Sequence, residues 1–214
     1  MAFRSVRVAA ALFVIAAASN PRALSAQFPA STGFNVLLGV DQTWTVSLDG
    51  GSTFFNAFVV ASPPGAWQLN TANYKWISFN AAASNGSSTS YIFRDAFNLS
   101  GYDPTTFGID FRCAYDNFLG SYSLNGGAAV TGGCGSEGTH TFGGTQTLNS
   151  GYLGGNNTLD FFVTGDGTTD GFLMSVDAVR ARASQPSTVP EPATVALLAT
   201  GLVSLGAMRR RKRN

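Results

Sequence analysis

The sequence predicts an all-β domain between positions 28 and 182, a β-sandwich of about eight strands. Short runs of β-favouring residues follow one another there, and none keeps a helical period over three turns. Clusters of glycine, asparagine and aspartate separate the runs and supply residues that tolerate positive φ in tight turns. With 44% hydrophobic and 12% charged residues, the chain of 214 residues is too apolar to be disordered.

The strands are predicted to bury one face and expose the other. Phe107, Ile109 and Phe111, for example, alternate with small or polar residues, as in a strand whose apolar side faces a core. The runs predicted to form strands are 43–48, 56–60, 74–79, 90–99, 107–114, 118–124, 158–164 and 171–179.

Residues 1–26 have the three parts of a secretory signal peptide. Arg4 and Arg7 precede the apolar run 8–18, and small residues follow at 23–26. At ~1.5 Å per residue, this apolar helix is too short for a ~30 Å hydrocarbon layer. The length favours cleavage near Ala26 over a permanent anchor, and we expect export by the Sec machinery.

Export places Cys113 and Cys134 in an oxidising compartment, which favours a disulfide between them. Closing that loop would stabilise the fold by roughly 3 kcal/mol in the chain-entropy model. Two unpaired buried thiols are the alternative, because sequence spacing alone does not show that the two β-carbons meet.

The C-terminal part has a fixed order of segments. A polar linker, 184–188, leads to Val189, Pro190, Glu191 and Pro192, and the apolar stretch 194–208 follows as a predicted transmembrane helix. At about 22 Å this helix spans a bilayer only where the membrane thins locally. By the positive-inside rule the cationic cluster that follows would stay in the cytoplasm and stop translocation. It consists of Arg209, Arg210, Arg211, Lys212 and Arg213.

These C-terminal residues resemble the PEP-CTERM sorting signal of exported proteins in Gram-negative bacteria that make extracellular polysaccharide. The resemblance covers 189–214 and implies processing by exosortase, a membrane-embedded cysteine transpeptidase that would recognise Pro190-Glu191-Pro192. It also implies an inner-membrane intermediate and a final place at the cell surface or in the extracellular matrix. Both prolines lack an N–H and favour extended backbone, which keeps the tag accessible to a peptidase. An ordinary tail anchor with a proline-rich neck is the alternative.

The β domain, bounded at 27–183, resembles a jelly-roll module of the galactose-binding-like type that is frequent among PEP-CTERM proteins. This resemblance implies the architecture, and no ligand residue is transferred from it. The segments that carry it are 41–44, 75–78, 91–99, 116–117, 123–126, 155–161 and 171–173.

Charge and composition exclude several function classes. From 27 to 189 the chain has 11 acidic and 5 basic residues, a net charge of −6, so nucleic acid is not an expected partner. One histidine and two cysteines leave little material for a metal site or cofactor. Asp166 and Asp170 lie in a glycine loop that could contribute to a structural calcium site, but a solvated hairpin turn is favoured. No catalytic residue is predicted, since His140 has no Gly-x-Ser-x-Gly element as a partner.

We therefore predict a non-enzymatic protein that associates with exopolysaccharide through its β-sandwich. Sugar rings stack on aromatic faces, and Trp67 is the candidate ligand contact because Pro63, Pro64 and Gly65 place it in or beside a loop. One alternative is a structural matrix or biofilm protein without a specific ligand. The other is a glycan hydrolase, which would require two carboxyl groups facing each other across a cleft.

Overall fold

The computed structural model describes residues 28–84, 86–135, 138 and 140–185, and all regular structure in this part is β. The ten strands are β1 (Val36–Leu37), β2 (Val40–Ser47), β3 (Phe55–Val59), β4 (Ile77–Ser78), β5 (Thr89–Asn98), β6 (Gly108–Asp116), β7 (Phe118–Leu124), β8 (Gln146–Leu148), β9 (Asn156–Gly165) and β10 (Gly171–Arg180).

All strand pairs are antiparallel, and they form one curled sheet in the order β7-β9-β5-β2-β3-β4-β10-β6-β8, with β1 paired to β2. The two ends of the sheet pack face to face. Phe161 of β9 lies 5.8 Å from Phe111 of β6 and 4.5 Å from Phe172 of β10, measured between ring centroids. The predicted all-β, jelly-roll type of sandwich is confirmed, and aromatic side chains fill the space between its halves.

The predicted alternation in β6 is also confirmed, because Phe107, Ile109 and Phe111 are all buried. The run predicted at 74–79 forms only the two-residue strand β4. Its first residues bond to loops instead: the Lys75 N–H donates to Thr32 and the Trp76 N–H donates to the Asn70 side chain. β1 and β8 are too short to leave a periodic signal in the sequence.

An extended N-terminal segment, 28–33, closes one side of the sandwich. The Thr32 N–H donates to Met174 of β10, and Ala30 and Gly33 donate their N–H groups to two buried carboxylates, Asp95 and Asp41. The segment therefore joins the β2–β5 side of the sheet to β10.

Cys113 of β6 and Cys134 of the loop between β7 and β8 form a disulfide, with their Cα atoms 4.7 Å apart. The chain divides into two compact units, Met1–Arg182 and Ala183–Asn214. The predicted signal helix, sorting motif, transmembrane helix and basic cluster lie outside the described residues. In the part of the chain that the structure describes, no helix is long and apolar enough to cross a membrane.

Candidate functional site

A cavity of about 430 Å³ opens where β6 and β10 meet two other parts of the chain. These are the N-terminal segment with Phe34, and the loop between β3 and β4, which contributes Asn73 and Tyr74. We call this cavity the Arg112 cavity. It is lined by Ser31, Phe34, Asn73, Tyr74, Arg112, Ser175, Val176 and Asp177. Its volume is within the range of small-molecule sites, and its lining mixes aromatic, hydroxyl, amide and charged side chains.

A bidentate ion pair forms one side of the cavity. The Arg112 Nε–H donates to Asp177 Oδ2 at 2.7 Å, and Nη2–H donates to Oδ1 at 3.0 Å. Ser175 Oγ donates to the same Oδ1 at 3.0 Å. Hydrogen bonding to Arg112 lowers the pKa of Asp177, and hydrogen bonding to Asp177 raises the pKa of Arg112. Both groups are therefore charged at neutral pH.

Asp177 lies at a β-bulge in β10, beside Arg112 of β6. Ser175 pairs with Arg112 and Val176 with Phe111, but the next registered pair is Ala178 with Asp110. Asp177 is thus the extra residue of β10. Because Ser175 pairs directly with Arg112, Asp177 lies two residues away on the same face of the sheet, and its carboxylate reaches the guanidinium diagonally across the strand pair.

Aromatic rings support the ion pair from the loop side. The Arg112 guanidinium carbon lies 4.8 Å from the centroid of the Phe142 ring, and Tyr74 packs edge-on against that ring at 5.0 Å. Phe34, on the opposite segment, is 57% exposed and has no ring contact with any described residue. Of the two rings that line the cavity, Tyr74 is thus packed against another ring and Phe34 is exposed to solvent.

Several polar groups of the cavity are available to a ligand. Neither the Asn73 side-chain amide nor the Tyr74 hydroxyl hydrogen-bonds to any residue of the described ranges. Ser31 Oγ accepts the Val176 N–H at 2.9 Å, which leaves its own hydrogen to donate. The cavity offers donors and acceptors that the fold itself does not consume.

The sequence-predicted ligand contact, Trp67, lies elsewhere. It is only 4% exposed, its ring centroid is 4.1 Å from that of Trp76, and its Nε1–H donates to Asp116 Oδ2 at 2.7 Å. The loop after Pro64 folds inward, so the indole faces pack in the protein rather than at the surface. A role for Trp67 in ligand binding stays a prediction.

A second cluster of polar side chains is centred on Asp116, a residue that is only 4% exposed. Its Oδ1 atom is buried, has no hydrogen-bond partner among the described residues and lies 3.6 Å from His140 Nδ1. Burial raises the pKa of Asp116 and also that of Asp170, whose Oδ2 accepts the Tyr91 hydroxyl at 2.9 Å. Both carboxyl groups are buried, Asp170 against the aromatic core and Asp116 against the separate cluster that contains Trp67, unlike a pair of acids exposed in a cleft.

The loop singled out as a possible calcium site connects β9 to β10, which do not pair with each other, so the predicted hairpin turn is wrong: the loop crosses between the two halves of the sheet, and Asp170 in it is buried. Asp166 Oδ1 accepts the backbone N–H and hydroxyl of Thr168, and Asp170 Oδ1 accepts the Asp166 N–H. These atoms close the loop on itself. Within the described ranges, no cluster of three or more histidine, cysteine or acidic side chains is arranged to hold a metal ion.

Sequence reasoning did not identify the residues of the Arg112 cavity as a site. Arg112 was visible only as an outward-facing residue of a predicted strand. Asp177 is the fourth residue from the end of β10, and its pairing across to β6 cannot be read from periodicity. The signal that could have found them is an arginine in one predicted strand and an aspartate in another, which can pair where two strands lie side by side.

The comparisons with known proteins address the two parts of the chain separately. A search of curated proteins found no significant match. The structure is similar to the carbohydrate-binding module TmCBM61 in complex with β-1,4-galactotriose, with a TM-score of 0.42, 14% identity and coverage of 68% of this chain and 92% of that chain. It is also similar to CBM35 from Paenibacillus barcinonensis, with a TM-score of 0.34, 20% identity and coverage of 65% and 95%.

The C-terminal part matches a protein-sorting family. The match covers residues 188–212 and includes the Val189-Pro190-Glu191-Pro192 tag and most of the basic cluster. The predicted sorting signal is thus confirmed: the chain carries a PEP-CTERM protein-sorting motif, which indicates a protein that is exported and sorted through the membrane.

Proposed function

We propose that this chain is a cell-surface or matrix protein that exosortase processes at its sorting motif and that binds carbohydrate in the Arg112 cavity. The observation that carries the binding proposal is the coexistence, in one cavity, of an exposed Phe34 ring, a planar Arg112–Asp177 pair and an Asn73 amide that is not used within the described fold.

Each of these groups suits a sugar. A pyranose ring has an apolar face of C–H groups, which packs against an aromatic ring, and an edge of hydroxyls, each a donor and an acceptor. The Arg112–Asp177 pair presents a donor beside an acceptor in one plane, as neighbouring hydroxyls require. Asn73 and Tyr74 can bond further hydroxyls without breaking a bond to the described part of the protein.

Binding is tested with two variants that leave the packing of the cavity in place. Tyr74→Phe removes only a hydroxyl, and Asn73→Ala removes an exposed amide. The full-length protein, purified in a zwitterionic detergent, is applied to a glycan array and to the exopolysaccharide of the producing cells. We expect retention of the native protein and about 3- to 10-fold weaker binding for each variant, the usual effect of one lost hydrogen bond.

A structural matrix protein without a specific ligand is the competing function. It predicts no retention of the native protein on any glycan, and identical behaviour of Tyr74→Phe and Asn73→Ala. Either variant binding as tightly as the native protein would show that the Arg112 cavity is not the site.

Processing is tested at the tag itself. Pro190→Ala combined with Glu191→Ala removes the rigid, acidic element that exosortase would recognise. We expect the full-length precursor to accumulate in the inner membrane, while Pro186→Ala in the linker is processed normally. Mass spectrometry of the C-terminal peptide distinguishes the two products, and unchanged processing of the double variant would refute the assignment.

A further inference from the structure

We infer that the Arg112 cavity selects an uncharged sugar unit and rejects acidic ones, namely uronates and sulfated sugars. This inference rests on the proposed function and specifies its ligand class. It follows from how the charge of Arg112 is already satisfied inside the protein.

Arg112 is the only cationic residue among the described residues that line the cavity. Its Nε–H and one Nη2–H face Asp177 at 2.7 and 3.0 Å, which is the fork geometry in which an arginine would grip the carboxylate of an acidic sugar. The fork is therefore occupied by a carboxylate of the protein. The cavity lining has a formal net charge of zero.

An acidic sugar could enter only at a cost. To bond the fork it would have to displace Asp177, which is also held by Ser175 Oγ at 3.0 Å. To avoid the fork it would have to place its own carboxylate beside that of Asp177, and like charges at such a distance repel strongly. The acidic β domain, with a net charge of −6 from 27 to 189, adds a repulsive field.

The neighbouring cation does not change this balance. Lys75 is not a lining residue, and its Nζ donates to the Gly33 carbonyl at 2.8 Å, which fixes it against the N-terminal segment. The negative electrostatic field of the β domain does not repel an uncharged sugar. Its hydroxyls can donate to Asp177 and accept from Arg112 Nη1, for which no hydrogen bond to a described residue is present.

The experiment compares polymers that differ only in charge. Neutral galactans, glucans and mannans are immobilised together with the same polymers oxidised at C6 to uronates, and the full-length protein is applied at 150 mM salt. We expect retention on at least one neutral polymer and at least about tenfold weaker retention on its oxidised form.

Asp177→Asn reverses the preference, because it frees the Arg112 charge while keeping the size of the side chain. We expect weaker binding of the neutral polymer and a gain of salt-sensitive binding to the oxidised one. The matched control is Asp110→Asn, which frees Arg180 from an equivalent bidentate pair between the same two strands but outside the cavity. We expect the control to bind like the native protein.

The outcomes separate the two proposals. Equal or stronger retention of the native protein on oxidised polymers overturns the inference and leaves carbohydrate binding standing. Retention on no polymer overturns the proposed function itself. If Asp177→Asn does not fold, the retention of the native protein on neutral and on oxidised polymers still tests whether the cavity rejects acidic sugars.

Discussion

The β6 strand contributes to two polar regions that differ in what their polar groups do. At Arg112, the region is open to solvent, and the charged pair leaves hydrogen-bonding capacity and two aromatic rings at a cavity. At Asp116, four residues further on, the region is buried, and the carboxyl group is enclosed by Trp67 and His140. The polar groups at Arg112 can still bond a ligand at the surface, whereas those at Asp116 hold loops of the protein together.

The difference is a matter of solvation. A buried polar group left without its partner loses the hydration that it had in water, so removing the partner destabilises the fold. An exposed group regains water when its partner is removed, so the fold is little affected and only recognition changes. Substitutions in the buried region should therefore change stability, and substitutions in the Arg112 cavity should change binding.

The largest effect is expected at Trp67. Trp67→Ala removes a buried indole that stacks on Trp76 and leaves Asp116 without its indole donor, and we expect the free energy of unfolding to fall by about 3–5 kcal/mol. Trp67→Phe keeps most of the ring and loses only the donor, for which we expect about 1–3 kcal/mol. Urea unfolding of both variants measures the losses. A stable Trp67→Ala protein with selectively impaired sugar binding would instead support Trp67 as a ligand contact.

A smaller and pH-dependent effect is expected at Asp95, another buried carboxyl group. Burial raises the pKa of Asp95 to about 8. The hydrogen bond that the carboxyl group accepts from the Ala30 N–H at 2.9 Å acts in the opposite direction, because it favours the charged form. Between about pH 4 and 8 the folded state therefore holds a proton that the unfolded state releases. Stability from this group is complete below pH 4 and is lost as the pH rises through 8, by at most about 1.4 kcal/mol per pH unit.

Asp95→Asn tests this dependence. The amide keeps an acceptor for Ala30 and cannot ionise, so we expect the variant to gain stability relative to the native protein as the pH rises from 5 to 8. Urea unfolding at three pH values in that interval measures the difference in stability between the two proteins. Asp116 and Asp170 are present in both, so their contributions cancel in this difference. Parallel curves for the two proteins would show that Asp95 is ionised in the folded state throughout.

The sequence predicts the buried parts of this molecule better than its surface site. Runs of β-favouring residues bounded by turn clusters locate β5, β6, β9 and β10 to within two residues at each end, because such residues pack well on a pleated surface and the clusters between them break the strands. The 188–212 motif is read from local order alone.

The Arg112 cavity could not be predicted in the same way. Its residues come from the N-terminal segment and Phe34, from the β3–β4 loop and from two strands, and only the pairing of β6 with β10 brings Asp177 next to Arg112. The exposure of Trp67 could not be predicted from position either: a proline-rich loop indicates a surface place, but Asp116, 49 residues later, accepts the indole N–H and the ring is buried. Contacts between distant segments decide both cases.

The smallest effect on stability, with a clear effect on binding, is expected at Phe34. Its ring is more than half exposed, so Phe34→Ala should change the free energy of unfolding by less than about 0.5 kcal/mol. The ring face is nevertheless the apolar platform of the Arg112 cavity, and we expect its loss to weaken binding to the neutral polymer about 2- to 10-fold. Leu38→Ala is the matched control, because Leu38 is 95% exposed on the β1–β2 hairpin that follows and does not line the cavity. If both variants weaken binding equally, the hairpin as a whole contacts the ligand, and the distinction drawn between an open recognition site and a buried structural one would have to be extended beyond the cavity.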